Sequence, residues 1–203
     1  MTLRAPSPPA VATSSLDRPR YVERPGDPVP PPYEPAVAED LGKLMPPGVP
    51  PLQLFRTLAH NPRVLRRVRK GGLLDPGSIS IRQREIAILR TTALCRSEYE
   101  WGVHVAFFGP AAGFTAAQIA ATVTGDPAPF SEAERAILAL CAALHDTASV
   151  PDALWARLAA SYRADQLVEL VALAGQYHMI SYVTNALGVA LEPAAPRFPA
   201  AGS

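Results

Sequence analysis

Cysteine is scarce: Cys95 and Cys141 are the only two in 203 residues. They lie far apart in apolar stretches, which excludes a disulfide framework and offers no thiolate-metal spacing, so both read as small buried hydrophobes. Excess charge of either sign is also missing, because 19 Lys and Arg stand against 18 Asp and Glu. No global field therefore favours nucleic acid or an anionic membrane surface. No apolar run approaches the roughly 20 residues that span a bilayer, and no apolar leader precedes a small-residue cleavage site. The expected location is cytoplasmic, without a membrane partner. Histidines and carboxylates at zinc-like spacing are lacking, as is a Gly-rich phosphate loop, so no metal and no cofactor are expected.

Proline, by contrast, is abundant, with 23 residues concentrated toward the N-terminus. Pro6, Pro8, Pro9, Pro19, Pro25, Pro28 and Pro30 to Pro32 prevent a persistent helix or central strand there, since each fixes φ and lacks a donor. Residues 1–35 read as an arm, either a mobile tail or one docked through Tyr21 and Tyr33 on a neighbouring subunit. Residues 36–192 read as one helical domain, large enough to bury a core, and residues 193–203 as a tail.

Four S/T-x-x-E/Q patterns mark helix starts: Ser80 with Gln83, Ser97 with Glu100, Thr115 with Gln118 and Ser131 with Glu134. Each sets a hydroxyl and a longer acceptor three residues apart ahead of an apolar run, the arrangement of a capping box. With the helix-breaking residues between them, they predict helices over 51–59, 62–70, 80–95, 97–108, 115–123, 131–147, 151–161 and 164–190. No alternating strand pattern intervenes, so the fold class is all-α, a compact helical bundle. Gly175, Ser181 and Gly188 thin the last helix, which suits a buried or subunit-interface position.

The most informative stretch runs from Arg82 to His104, RQREIAILRTTALCRSEYEWGVH. It resembles the signature of the carboxymuconolactone decarboxylase and alkylhydroperoxidase D superfamily: a glutamate, a CxxC pair, then a histidine four residues after the second cysteine. Glu85, Ser97, Glu100 and His104 occupy those four positions. The segments LFRTLAHNP, AGFTAAQIA and GQYHMISYVTNALGVAL extend the resemblance over roughly residues 50–192. It implies an alkylhydroperoxidase D-like fold, assembly as a homo-oligomer (trimer or hexamer), and pockets near subunit boundaries.

In the peroxidase branch the paired cysteines attack peroxide and close a disulfide, which needs a reactive thiolate and a resolving thiol. Ser97 and Glu100 can do neither, and Cys95, two residues earlier, is rotated by about 200° on a helix. An acid/base set remains: Glu100 and His104 share a helical face at i,i+4, with Ser97 one turn back, and Glu85 faces them in the family geometry. A carboxylate beside an imidazole favours the imidazolium and orients it to deliver a proton. His104 is the expected proton donor, with Glu85 as base or ring orienter. Arg82 either binds a substrate carboxylate or sits in an ion pair; Trp101, Phe107 and Phe108 either wall an apolar substrate pocket or belong to the core, and Tyr99 is a further substrate-site candidate and second choice of donor.

The resulting expectation is a cofactor-independent decarboxylase or isomerase acting on a small organic acid, carbonyl or lactone. Hydroperoxide reduction and non-catalytic ligand binding are the alternatives. His60, His145 and His178 are read by default as core or interface groups; Tyr177 and His178 could approach the site from the last helix, but neither is counted as catalytic.

Overall fold

The computed structural model describes residues 26–199. Among them are nine α-helices and no strand: α1 Pro35–Gly42, α2 Gln53–Leu58, α3 Pro62–Gly71, α4 Ile81–Leu94, α5 Glu98–Ala112, α6 Ala116–Thr124, α7 Glu132–Thr147, α8 Asp152–Ser161 and α9 Ala164–Leu187. Tyr21 and most of the proline-rich arm lie outside the described residues.

Three of the four predicted capping boxes form, at Ser80, Thr115 and Ser131, each with reciprocal hydrogen bonds to its partner three residues on. Each satisfies two otherwise orphaned N–H groups, and loss of such a hydroxyl costs about 1 kcal/mol. Ser97 forms none. Its hydroxyl instead meets Thr184 Oγ1 at 2.8 Å in the interior, tying the start of α5 to α9.

Helix α1 is absent from the sequence reading. It starts with Pro35 at its first turn, where a missing N–H costs nothing, and buries only Val37, Asp40 and Leu41, too few for a periodic signal. Helix α5 runs four residues past its predicted end, through Pro110. Proline's φ is itself helical, and one lost hydrogen bond in a last turn is tolerated. The helix stops at Gly113, whose φ of +67° reverses the chain. Helix α9 ends at Gly188 in the same left-handed geometry, so that glycine is a terminator and not an interior thinning residue.

Helix α4 is the hub, packed against α5, α6, α7 and α9. Ile86, Ala87, Ile88 and Leu89 are all fully buried, so consecutive residues on every side of the helix meet protein. A helix with no exposed face belongs at a centre. One apolar cluster joins α4, α7, α8 and α9 through residues such as Ile137, Leu140, Leu158 and Leu170. A second joins α1–α3 to the start of α5 and the end of α9 through Leu41, Leu54, Leu65, Tyr99 and Ile180. Val29 and Tyr33 pack on this second cluster, and the Thr57 hydroxyl donates to the Gly26 carbonyl at 2.9 Å. The C-terminal segment crosses α5 at Gly102, where a Cβ would collide with the Pro196 carbonyl.

No described helix is long and apolar enough to cross a membrane.

Candidate active site

The site lies where α4, α5 and α9 meet beneath the α1–α3 layer. Helix α4 contributes Arg84 and Glu85, both buried, the latter completely. Glu85 Oε1 accepts from Arg84 Nε at 2.8 Å, and Oε2 from His104 Nδ1 at 2.7 Å. Arg84 also donates to the Leu74 carbonyl at 2.7 Å and lies over the Phe108 ring, 4.9 Å from its centroid. Charges are removed from water only when paired and hydrogen-bonded, and this cluster meets both conditions.

A carboxylate can only accept, so His104 carries a proton on Nδ1 and its orientation is fixed from behind. The opposite edge, Nε2, stands 2.9 Å from the Tyr177 hydroxyl and 3.7 Å from Glu100 Oε2. The Tyr177 ring meets the imidazole edge-on at 4.9 Å, and Phe108 lies at 5.1 Å from it. Burial pushes the Glu100 carboxyl up to about 7, although the His104 charge works against that shift. Tyr177 is held well above its ordinary value, first by burial and then by the charges of Glu100 and Glu85, so it remains a phenol.

Glu100, His104, Phe108 and Tyr177 open onto a cleft of about 730 Å³. Leu44, Leu52, Phe55 and Val68 from the α1–α3 layer and Val103, Phe107 and Ile180 opposite make its walls largely apolar, while Lys43, Arg69, Lys70 and Asp75 stand among its lining residues. A pocket of this size with a few convergent polar groups suits a small organic molecule.

Of the residues singled out in the sequence, Glu85, Glu100, His104 and Phe108 come together. Four others do not reach the cleft. Arg82 is held by Glu134 at 2.5 Å and by the Ala112 and Gly113 carbonyls, the ion-pair outcome. The Tyr99 hydroxyl accepts from the Leu54 N–H and donates to Glu192, anchoring α5 to the α2 region. The Trp101 indole donates to Thr122 Oγ1 at 2.9 Å and packs on Phe198, and it does not line the cleft. Ser97 is spent on Thr184.

Two further residues stand at the site, Arg84, which the sequence reading did not single out, and Tyr177, which it did not count as catalytic. Arg84 adjoins Glu85, and neighbours on a helix point about 100° apart, so the pair gave no shared-face signal. Its side chain nevertheless folds back along the helix. Tyr177 was visible as a polar interruption of an apolar run, but nothing in the spacing tied it to a histidine on another helix.

Residues 62–143, which carry Arg84, Glu85, Glu100 and His104, match the model of the carboxymuconolactone decarboxylase family. Over that segment the chain is similar to the carboxymuconolactone decarboxylase family.

Solved structures agree on the fold. A protein of unknown function from Agrobacterium tumefaciens, suggested to be the antioxidant defence protein AhpD, superposes with a TM-score of 0.60 at 16% identity, covering 66% of this chain and 94% of its own. The debrominase Bmp8 in its apo form gives 0.58 at 18% identity, covering 79% of this chain and 88% of its own. A cysteine-to-alanine form of Bmp8 in complex with 2,3,4-tribromopyrrole gives 0.57 at 19%, covering 78% and 83%. No curated protein sequence matches the chain. Against the redox signature that the sequence resembles, Ser97 and Glu100 stand where the paired cysteines would. Cys95 and Cys141 are both free thiols, and burial raises both, Cys141 to about 11. A raised thiol is the opposite of what a peroxide-attacking thiolate needs.

Proposed function

We propose that the chain is a cofactor-independent acid/base enzyme of the decarboxylase or isomerase type, acting on a small organic acid, carbonyl or lactone. The observation that carries this reading is one imidazole with its two edges in different roles. Nδ1 is locked to buried Glu85, while Nε2 faces an apolar cleft beside a carboxyl raised to about 7.

In this reading His104 and Glu100 share the proton that reaches substrate carbon, and Tyr177 bridges to Nε2 and steadies a developing oxyanion. Glu100 lies 3.7 Å from Nε2, and its value near neutrality suits proton transfer in both directions. Glu85, shut away behind the ring with both oxygens engaged, acts as a positioning residue and not as the base. During decarboxylation, negative charge builds on an enolate oxygen as carbon dioxide leaves. Donors already in place at that oxygen favour the transition state over the substrate. Lys70, exposed in the last turn of α3 and lining the cleft, supplies a cation for a substrate carboxylate.

Assembly into a homo-oligomer and a cytoplasmic location belong with this proposal. Val168, Met179 and Tyr182, at 70%, 37% and 65% exposure, fall on one stripe of α9, and an apolar stripe of that kind favours a second subunit over water.

The test is a panel of carbonyl acids and lactones incubated with the protein in D2O, followed by NMR for deuterium uptake and carbon dioxide loss. Uptake confined to one substrate class supports the reading and narrows the substrate. A folded protein inert toward every acid, carbonyl and lactone in the panel would count against it.

A further inference from the structure

Away from the cleft, the fold gathers three residues that the sequence scatters. Cys95 closes the end of α4, His145 lies in the last turn of α7, and His178 sits within α9. Cys95 Sγ is 3.8 Å from His145 Nδ1, and that nitrogen is 3.0 Å from His178 Nε2. All three ligand atoms lie within 4.8 Å of one another. We propose that Cys95, His145 and His178 form a binding site for a zinc-type divalent cation, with the fourth position open to solvent.

The distances fit. Zinc bonds of about 2.3 Å to sulfur and 2.0–2.1 Å to nitrogen, at tetrahedral angles, place S and N roughly 3.5 Å apart and two N atoms roughly 3.3 Å apart. Spreading the imidazoles by a few tenths of an ångström and drawing the thiol inward completes the triangle.

The surroundings fit as well. His178 Nδ1 lies 2.9 Å from the Ala174 carbonyl. A carbonyl only accepts, so neutral His178 keeps its proton on Nδ1 and turns the Nε2 lone pair toward Cys95 and His145. That outer bond to a backbone carbonyl is the device by which metal-binding histidines are oriented. The Cys95 backbone is held too, by a 2.8 Å bond from Asn185 Nδ2 to its carbonyl and by the left-handed turn at Arg96, φ +54°. His145 is exposed, which gives a cation a route in and leaves a coordination position for water. One thiolate with two imidazoles selects zinc or a similar transition metal over magnesium or calcium.

None of the three residues lines the cleft. Tyr177, beside His178, points about 100° round the helix. The inference is therefore independent of the acid/base reading. Without a cation the two imidazoles are joined by a plain hydrogen bond, His145 Nδ1–H donating to His178 Nε2, and that is the competing account.

Anaerobic titration of the reduced full chain with Co²⁺, read by absorption, separates the two. We expect one cobalt per chain, the visible bands of a four-coordinate site, a thiolate-to-cobalt charge-transfer band, and displacement by Zn²⁺. The charge-transfer band should vanish in Cys95→Ser. In His145→Ala, an exposed position whose change spares the core, affinity should fall by more than the roughly 10–100-fold that losing an outer-shell partner costs. A wild-type protein without the thiolate band, or a band that survives Cys95→Ser, would overturn the proposal.

Discussion

Replacing Glu85 by glutamine tests whether the buried charges act as one unit. Glu85 is fully buried, and its two oxygens take bonds from Arg84 and from His104. Glutamine keeps the shape and loses the charge, leaving a guanidinium that is only 10% exposed with the Leu74 carbonyl and the Phe108 ring for company. Removing one partner of a buried pair costs roughly 3–5 kcal/mol, because the remaining charge cannot return to water. A chain of this size loses about 2–4 °C of Tm per kcal/mol, so Glu85→Gln should melt roughly 6–20 °C lower. Arg84→Met should cost a comparable amount, since it strands Glu85. The double variant strands neither, and should cost less than the sum of the two by at least about 1 kcal/mol. Urea unfolding of the four proteins at one protein concentration measures the cycle. A Glu85→Gln protein as stable as the wild type, or strictly additive penalties, would refute the reasoning.

Glu100 carries a second consequence for stability. Its folded value of about 7 lies above the usual 4.5, so the folded state binds the proton more tightly. That contribution is fully present below about 4.5 and is lost as pH rises through about 7, by about 3 kcal/mol in all. Glu100→Gln should flatten this slope and stabilise the protein at pH 8; a steeper slope in the variant would contradict the assignment. Trp101→Phe should cost roughly 2–4 kcal/mol through the lost Thr122 bond and the cavity left behind. Because Trp101 lies outside the cleft, kcat and KM for any responding substrate should stay unchanged; a raised KM would return it to the pocket. Val168→Asp with Tyr182→Glu should dissociate the assembly in light scattering without unfolding the chain. An unchanged molar mass would remove the α9 stripe from the interface.

The helices were legible where a cap, a period and a breaker agreed. At α6, Thr115 opens, Ala121 and Thr122 supply the buried face, and Gly125 closes. The same four-residue pattern at Ser97 misled, because a capping box needs its side chains to stay local. Here the interior offered Ser97 a hydroxyl on α9, and Glu100 turned into the cleft. Site legibility followed a similar rule. His104 and Glu85 were found through their match to the positions of the resembled family's signature, whereas Arg84 and Tyr177 are set by where α4 and α9 lie against α5. Cys95, His145 and His178 are separated by whole helices, so no spacing rule could have joined them. Trp101 and Tyr99 looked like pocket walls because they sit near His104 in sequence. On α5 each faces a different neighbour, the α6 side for one and the α2 side for the other.

The central claim is that His104, held by Glu85, moves a proton in the cleft. Deuterium incorporation into a responding substrate should be compared near pH 7 for the wild type, His104→Ala and Glu85→Gln, with circular dichroism confirming that each is folded. The account predicts that His104→Ala loses roughly 10²–10⁴-fold in rate and that Glu85→Gln retains a reduced rate, as a positioning residue should. A folded His104→Ala protein exchanging at the wild-type rate would contradict it.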